Sequence, residues 1–288
     1  FEKGILQAAW RERRDGDIFL SIPSVGATEN LLLACAMGHG TVTLHGAARE
    51  PEITDLIGFL RAAGADIRGA GSGDITIRGV KKLHGATYTI LPDRIETATY
   101  LCMAAGCGGE VELQRCDGRL LAPVIERLRE AGCEIRCGGS ELVLKSSGKL
   151  TAVSPVTTAP YPGFPTDAQA ILMAAVLRAK GESVFQETVF ERRFLHVPEL
   201  QKLGADIALS GKTARVRGVS DLHGAMLHAE DLRGAAALIT AGLLAEGESE
   251  VLGLSHLARG YENLEQNLKN LGASIKSVDI PAPFVYNT

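Results

Sequence analysis

The chain is short of several features, and each shortage removes a class of function. No apolar run reaches the roughly 18 residues that a membrane-spanning helix needs. The longest, "AAALITAGLLA" (Ala235–Ala245), stops well before that. Positive charge is not in excess: 30 Lys and Arg stand against 34 Asp and Glu, a net charge of −4. That argues against a basic surface built to hold nucleic acid and leaves any anion site to a local cluster of arginines. The six cysteines (Cys35, Cys102, Cys107, Cys116, Cys133 and Cys137) lack the paired CxxC spacing of a zinc site. No His, Asp and Glu set has metal-ligand spacing either, so no metal is expected. Free, mostly buried thiols in a reducing cytoplasm fit this usage, with Cys116 of "QRCDGRL" the one expected in an exposed loop. The opening "FEKGILQAAWRERRDGD" has no continuous apolar segment of the signal-peptide kind. Phe1 stands where an initiator methionine is expected, which suggests a piece of something longer.

What is present is repetition. The 288 residues, 45% hydrophobic and 22% charged, suit a globular protein of one to two domains. "FLRAAGADI", "RLREAGCEI", "ELQKLGADI" and "NLKNLGASI" each read as the end of an amphipathic helix, a glycine, and a short apolar strand. Their glycines, Gly64, Gly132, Gly204 and Gly272, lie 68, 72 and 68 residues apart. A second glycine recurs upstream, at Gly40, Gly109, Gly181 and Gly247, each between a small-residue helix and an alternating strand. "RGVKKLHGA" and "RGVSDLHGA" close the first and third copies, placing His84 and His223 in equivalent structural turns. The unit predicted is helix, strand, loop, helix, strand, strand. At about 70 residues it is longer than common solenoid repeats of about 20–50. Each copy is expected to be a small α/β fold that packs on its neighbours through apolar helices.

The chemistry-bearing residues sit at equivalent places in each copy. One place is the start of the first helix: "SVGATEN", "PDRIETATY", "PTDAQA" and "EDLRGAA". The other is the loop after the next strand: "GAAREPE", "RCDGRLL", "TVFERRFLH" and "LARGYE". Helix N-termini favour anions, and arginine forks suit phosphate and carboxylate. "PYPGFPTDAQA" stiffens the approach to Asp167 with three prolines. From the residues alone Asp167 is either a first-turn acid at a helix start or a carboxylate positioned for chemistry. His196 of "RFLHVPEL" suits a core or helix-start role better than a ligand role.

Taken in order, "SVGATEN", "AAREPEI", "LPDRIETATYL", "PYPGFPTDAQA", "ETVFERRFLHVPEL", "EDLRGAAALI" and "ARGYENLE" resemble the enolpyruvyl transferase family, in particular the branch acting on UDP-N-acetylglucosamine. The resemblance runs from about Ser24 to about Ile275. It implies an α/β fold of inside-out barrel type, helices within and sheets outside, with three such units per domain. Residues 1–91 would then be the remaining part of a first domain, and 92–288 a complete three-unit second domain. The reaction implied is transfer of enolpyruvyl from phosphoenolpyruvate to the 3′-hydroxyl of UDP-N-acetylglucosamine, without metal or organic cofactor. By resemblance Asp167 is the general base; Arg193 and Arg259 grip phosphoenolpyruvate; Arg233 is a further cleft arginine. Taken by itself, Arg233 could equally pair with Asp231 or Glu230. Arg94 and Glu96 match positions near the cleft. Ser24, Val25 and Gly26 match a segment holding the nucleotide diphosphate, and Val189 a backbone contact to the sugar. Arg192 departs from the family, which usually has asparagine there. The family's mobile loop with its reactive cysteine or aspartate matches nothing here, so a chain beginning at Phe1 is expected to turn over weakly or not at all. The alternatives are a catalytically silent relative that binds a UDP-sugar and, less well supported, a transferase with another acceptor.

Overall fold

The structure, a computed structural model, describes residues 15–278. Residues 1–14, most of the opening "FEKGILQAAWRERRDGD", lie outside them, as do residues 279–288 of the expected second domain.

A lead-in strand, β1 (Gly16–Phe19), precedes the first copy: α1 (Val25–Ala36), β2 (Thr41–His45), α2 (Pro51–Ala62), β3 (Asp66–Arg68) and β4 (Asp74–Arg78). The second copy is α3 (Arg94–Cys107), β5 (Gly109–Gln114), α4 (Ala122–Glu130), β6 (Glu134–Gly138) and β7 (Glu141–Ser146). After the short β8 (Val156–Thr157) comes the third: α5 (Thr166–Ala175), β9 (Glu182–Gln186), α6 (Val197–Lys202), β10 (Asp206–Ser210) and β11 (Thr213–Arg217). Strand β12 (Met226–His228) leads into the fourth: α7 (Leu232–Leu244), β13 (Glu250–Leu252) and α8 (Leu264–Asn270). The first three copies follow the expected order. The fourth has no strand after α8 among the described residues.

One local device builds every copy. Gly64, Gly132, Gly204 and Gly272 have φ of +100°, +104°, +95° and +95°, the left-handed region where a side chain is penalised. The residue after each then donates its N–H five residues back: Ala65 to Leu60, Cys133 to Leu128, Ala205 to Leu200 and Ala273 to Leu268, at 2.9–3.3 Å. This 6→1 bond ends the helix and turns the chain into the next strand. A long polar side chain ties the turn down in three copies: Arg61 to the Ile67 carbonyl, Arg129 to Ile135 and Gln201 to Ile207, at 2.8–2.9 Å. The carbonyl just before the glycine accepts the N–H of His84 in the first copy and His223 in the third, both at 2.9 Å. The two histidines thus occupy the equivalent turns expected of them.

Within each of the first three copies the central strand is the last one, giving β2-β4-β3, β5-β7-β6 and β9-β11-β10, all antiparallel. Alternation buries one face: Ile75 and Ile77 on β4, Leu142 and Leu144 on β7, Ala214 and Val216 on β11. Lead-in strands β1 and β12 add in parallel to β2 and β13. The first helices of the later copies are buried nearly all round, with every residue from Ala168 to Ala175 of α5 buried. That part of the chain is therefore α/β with its first helices inside and half-exposed sheets outside. The described strands form four separate sheets, none closed on itself.

Two compact units result. Of the described residues, one holds 15–93 together with Thr157–Thr166; the other holds Arg94–Val156 and residues 167–278. In the first unit, α1, α2 and the sheet share a core that includes Leu32, Leu44, Ile53, Ile57, Ile75 and Ile77. The six cysteines are all free thiols. Cys116 is buried, contrary to the expectation of an exposed loop; its Sγ turns inward to the Leu113 carbonyl at 3.2 Å. The exposed pair is Cys107 and Cys137.

Candidate active site

In the second unit the site is organised around the first turn of α5. The run "AQAILMAA" is wholly buried, so the first turn is where α5 can hold a charge in contact with water. Asp167 stands there with 39% of its side chain exposed. Its Oδ1 accepts from Arg193 Nη2, and its Oδ2 accepts from Arg233 Nη2 at 3.1 Å. Both guanidinium side chains are more enclosed than the acid, at 16% and 14% exposure. Two charge-assisted bonds on one carboxylate fix its plane and both forks.

Arg193 arrives on the loop between β9 and α6. Glu187, buried at 1% exposure, shapes that loop by accepting the N–H groups of Val189 (2.8 Å) and Phe190 (2.9 Å) on Oε1. The Arg193 guanidinium lies 5.2 Å from the centroid of the Phe190 ring, within cation–π range. Beneath it His196 takes the N-cap position of α6 at 3% exposure. Burial pushes its imidazole down to about 4, with Asp231 opposing the shift and Arg193 reinforcing it. His196 is thus a neutral core group at a helix start, as its sequence context suggested.

Arg233 is set by the start of α7. Asp231 caps that helix, accepting the N–H groups of Arg233 and Gly234, both at 2.9 Å. Because Asp231 is engaged with backbone, the Arg233 guanidinium reaches across to Asp167, replacing the neighbour pair with Asp231 or Glu230 that the sequence allowed. Its Nη1 donates to the Tyr261 hydroxyl at 3.4 Å. Burial works against its charge, but Asp167 and Tyr261 outweigh burial and raise its pKa above the ordinary arginine value.

The other expected residues fall differently. Arg259 closes a short 3₁₀ turn, Leu254–Arg259, exposed and outside the ion pairs of the described residues. Arg94 opens α3 and is half-buried, with Glu96 in the same first turn. Val189 is exposed, and its N–H is already given to Glu187, so a backbone contact to a ligand falls to its carbonyl. Arg192 is exposed. In the first unit, Ser24 caps α1: its Oγ accepts the Ala27 N–H at 3.3 Å. Val25 opens that helix, and a β-carbon at Gly26 would meet nothing within 4 Å, leaving the helix tip open to an approaching group. Among the described residues no cluster of three or more His, Cys, Asp or Glu is placed to hold a metal ion, and no helix is long and apolar enough to cross a membrane.

Three residues of this site escaped the sequence reading: Tyr261, Thr99 and Glu187. Tyr261 and Glu187 lie inside the quoted motifs "ARGYENLE" and "ETVFERRF". Thr99 lies inside "LPDRIETATYL", where nothing distinguishes it from an ordinary helix residue.

An acid held between two half-buried cations, at a helix start lined by sister copies, can accept a proton and present guanidinium forks to an anion. The profile of the EPSP synthase (3-phosphoshikimate 1-carboxyvinyltransferase) family matches residues 5–268, and the chain belongs to that family. A UDP-N-acetylglucosamine 1-carboxyvinyltransferase from Novosphingobium aromaticivorans is 50% identical over 257 residues, 89% of this chain and 60% of that protein. Proteins of the same name from Finegoldia magna and Granulibacter bethesdensis are 46% and 49% identical, over 92% and 96% of this chain and 63% and 66% of theirs. The chain thus spans about two thirds or less of the length of these relatives. Among solved structures, the enolpyruvyl transferase NikO from Streptomyces tendae superposes with a TM-score of 0.83 at 32% identity, covering 91% of this chain and 65% of that one. EPSP synthase from Acinetobacter baumannii shares the fold, with a TM-score of 0.71 at 19% identity over 92% of this chain and 64% of its own.

Proposed function

We propose that the protein this chain represents transfers the enolpyruvyl group of phosphoenolpyruvate to the 3′-hydroxyl of UDP-N-acetylglucosamine, releasing phosphate, as a step toward peptidoglycan precursors. The observation that carries this reading is the Asp167 carboxylate shared by Arg193 and Arg233, guanidiniums brought to it from the β9–α6 loop and from α7. The names of the relatives narrow the acceptor to the UDP-sugar. Arg193, Arg233 and Arg259 take the phosphate and carboxylate of phosphoenolpyruvate, with Arg94 a further cation beside the substrates. As those anions engage Arg193 and Arg233, Asp167 is freed to accept the proton of the sugar hydroxyl. The oxygen bonds to the second carbon of phosphoenolpyruvate while its methylene is protonated. Loss of that methyl proton and of phosphate then restores the double bond. Ser24, Val25 and Gly26 hold the diphosphate at the tip of α1, and the Val189 carbonyl meets the sugar.

The same reading makes residues 1–91 the remainder of one domain and 92–288 a three-unit second one. It places the reaction in the cytoplasm, in keeping with six cysteines left as thiols. The test is phosphate release by the complete protein, measured with each substrate alone and with both. Release that requires both, and is abolished in Asp167→Ala, is expected. Undiminished turnover in Asp167→Ala would remove Asp167 as the base, and binding of the UDP-sugar with no turnover would favour the silent relative.

A further inference from the structure

Arg233 faces a difficulty if Asp167 is its main tether, because catalysis needs that carboxylate released. The second anchor is Tyr261, which follows the turn carrying Arg259 and is 4% exposed. Its hydroxyl lies 3.4 Å from Arg233 Nη1 and 2.9 Å from Thr99 Oγ1, and its ring centroid 6.0 Å from Arg233 Cζ. Thr99, on α3 and wholly buried, gives its own hydroxyl proton to the Ile95 carbonyl at 2.8 Å. A hydroxyl carries one proton. Thr99 must therefore accept from Tyr261, and Tyr261, having donated, must accept from Arg233. The directions are fixed along the whole chain: Arg233 Nη1–H to Tyr261, Tyr261 O–H to Thr99, Thr99 O–H to Ile95. Buried hydrogen bonds aligned in this way polarise one another.

We propose that Tyr261, backed by Thr99, is a positioning residue that holds the Arg233 guanidinium in place independently of Asp167. The two ends of the fork are divided between two jobs. Nη2 is bound to Asp167 and passes to an incoming anion; Nη1 stays tied through Tyr261 to α3. The arginine therefore exchanges one partner without losing its orientation. The proposal rests on the reading above that Arg233 receives an anionic substrate.

Two variants test it. Tyr261→Phe keeps the ring and removes the hydroxyl. Thr99→Val keeps the shape and breaks the chain at a residue one step removed from the arginine. In the unliganded chain, rotation of the Arg233 guanidinium is read by arginine side-chain NMR, with the signal assigned through Arg233→Lys. Both single variants are expected to rotate about 10-fold faster, the equivalent of one hydrogen bond to a charged group, and the double variant no faster than either. In the complete protein both should raise KM for phosphoenolpyruvate about 10-fold with kcat changed far less, the pattern of weakened substrate binding. Unchanged rotation in Tyr261→Phe overturns the proposal. Faster rotation in Tyr261→Phe with none in Thr99→Val overturns the role of Thr99. If Tyr261→Phe fails to fold, the Thr99→Val rotation decides alone. Absence of turnover in the unaltered complete protein would instead sink the reaction, leaving the rotation result to judge the positioning.

Discussion

Replacing Asp167 with alanine removes the one carboxylate that two guanidiniums share, and the geometry sets the size of the effect. At about 4 Å and an effective dielectric of about 20, each pair is worth roughly 4 kcal/mol of gross attraction, most of it offset by lost hydration. Net values run from about 0–1 kcal/mol for exposed pairs to about 3–5 for truncating a buried one. With the arginines at 16% and 14% exposure and the acid at 39%, this cluster falls between those limits. A loss of about 2–4 kcal/mol is expected. For a unit of this size that lowers the midpoint by about 4–16 °C at about 2–4 °C per kcal/mol. Scanning calorimetry measures it directly. The same experiment carries a second reading, because two guanidiniums without their acid form an anion site. Inorganic phosphate at ten times its Kd should return about 1.4 kcal/mol to Asp167→Ala. The unaltered chain should gain less, since phosphate must there displace Asp167. A midpoint unmoved by the substitution, or equal phosphate shifts in both proteins, would refute the shared-carboxylate account.

Acid stability should depend on His196. Its imidazole sits at about 4 in the fold against 6.5 when solvated, so the unfolded chain takes up the proton first as pH falls. Its contribution is whole above pH 6.5 and is lost progressively down to about pH 4, amounting to about 3 kcal/mol at full size. Urea unfolding over that range should show a steeper loss in the unaltered chain than in His196→Gln; equal slopes would contradict it. Gly132→Ala should cost about 1–2 kcal/mol from the left-handed backbone alone, since its β-carbon would meet nothing within 4 Å. Gly64→Ala should cost more, because that carbon would press on the His84 ring at 3.0 Å; thermal midpoints of the two variants compare them.

The sequence by itself determined the repeat, because the signals are local. A glycine is required wherever φ is near +100°, and four such positions recurring at nearly equal spacing reveal four copies before any contact is known. It also determined that Asp167 begins a buried helix, since no neighbour but the first turn of "DAQAILMAA" can keep a charge in contact with water. Only the tertiary structure decided what Asp167 meets. Arg193 and Arg233 lie 26 and 66 residues away, and Tyr261 reaches Thr99 across 162. The same limit misplaced Cys116, and it left Arg233 with Asp231 or Glu230 as candidate partners. Sequence neighbours compete for a side chain through short-range geometry that can be read in advance. A cap such as Asp231 removes itself from that competition by binding backbone, and the arginine then goes to whichever acid the packing of distant helices has carried within reach.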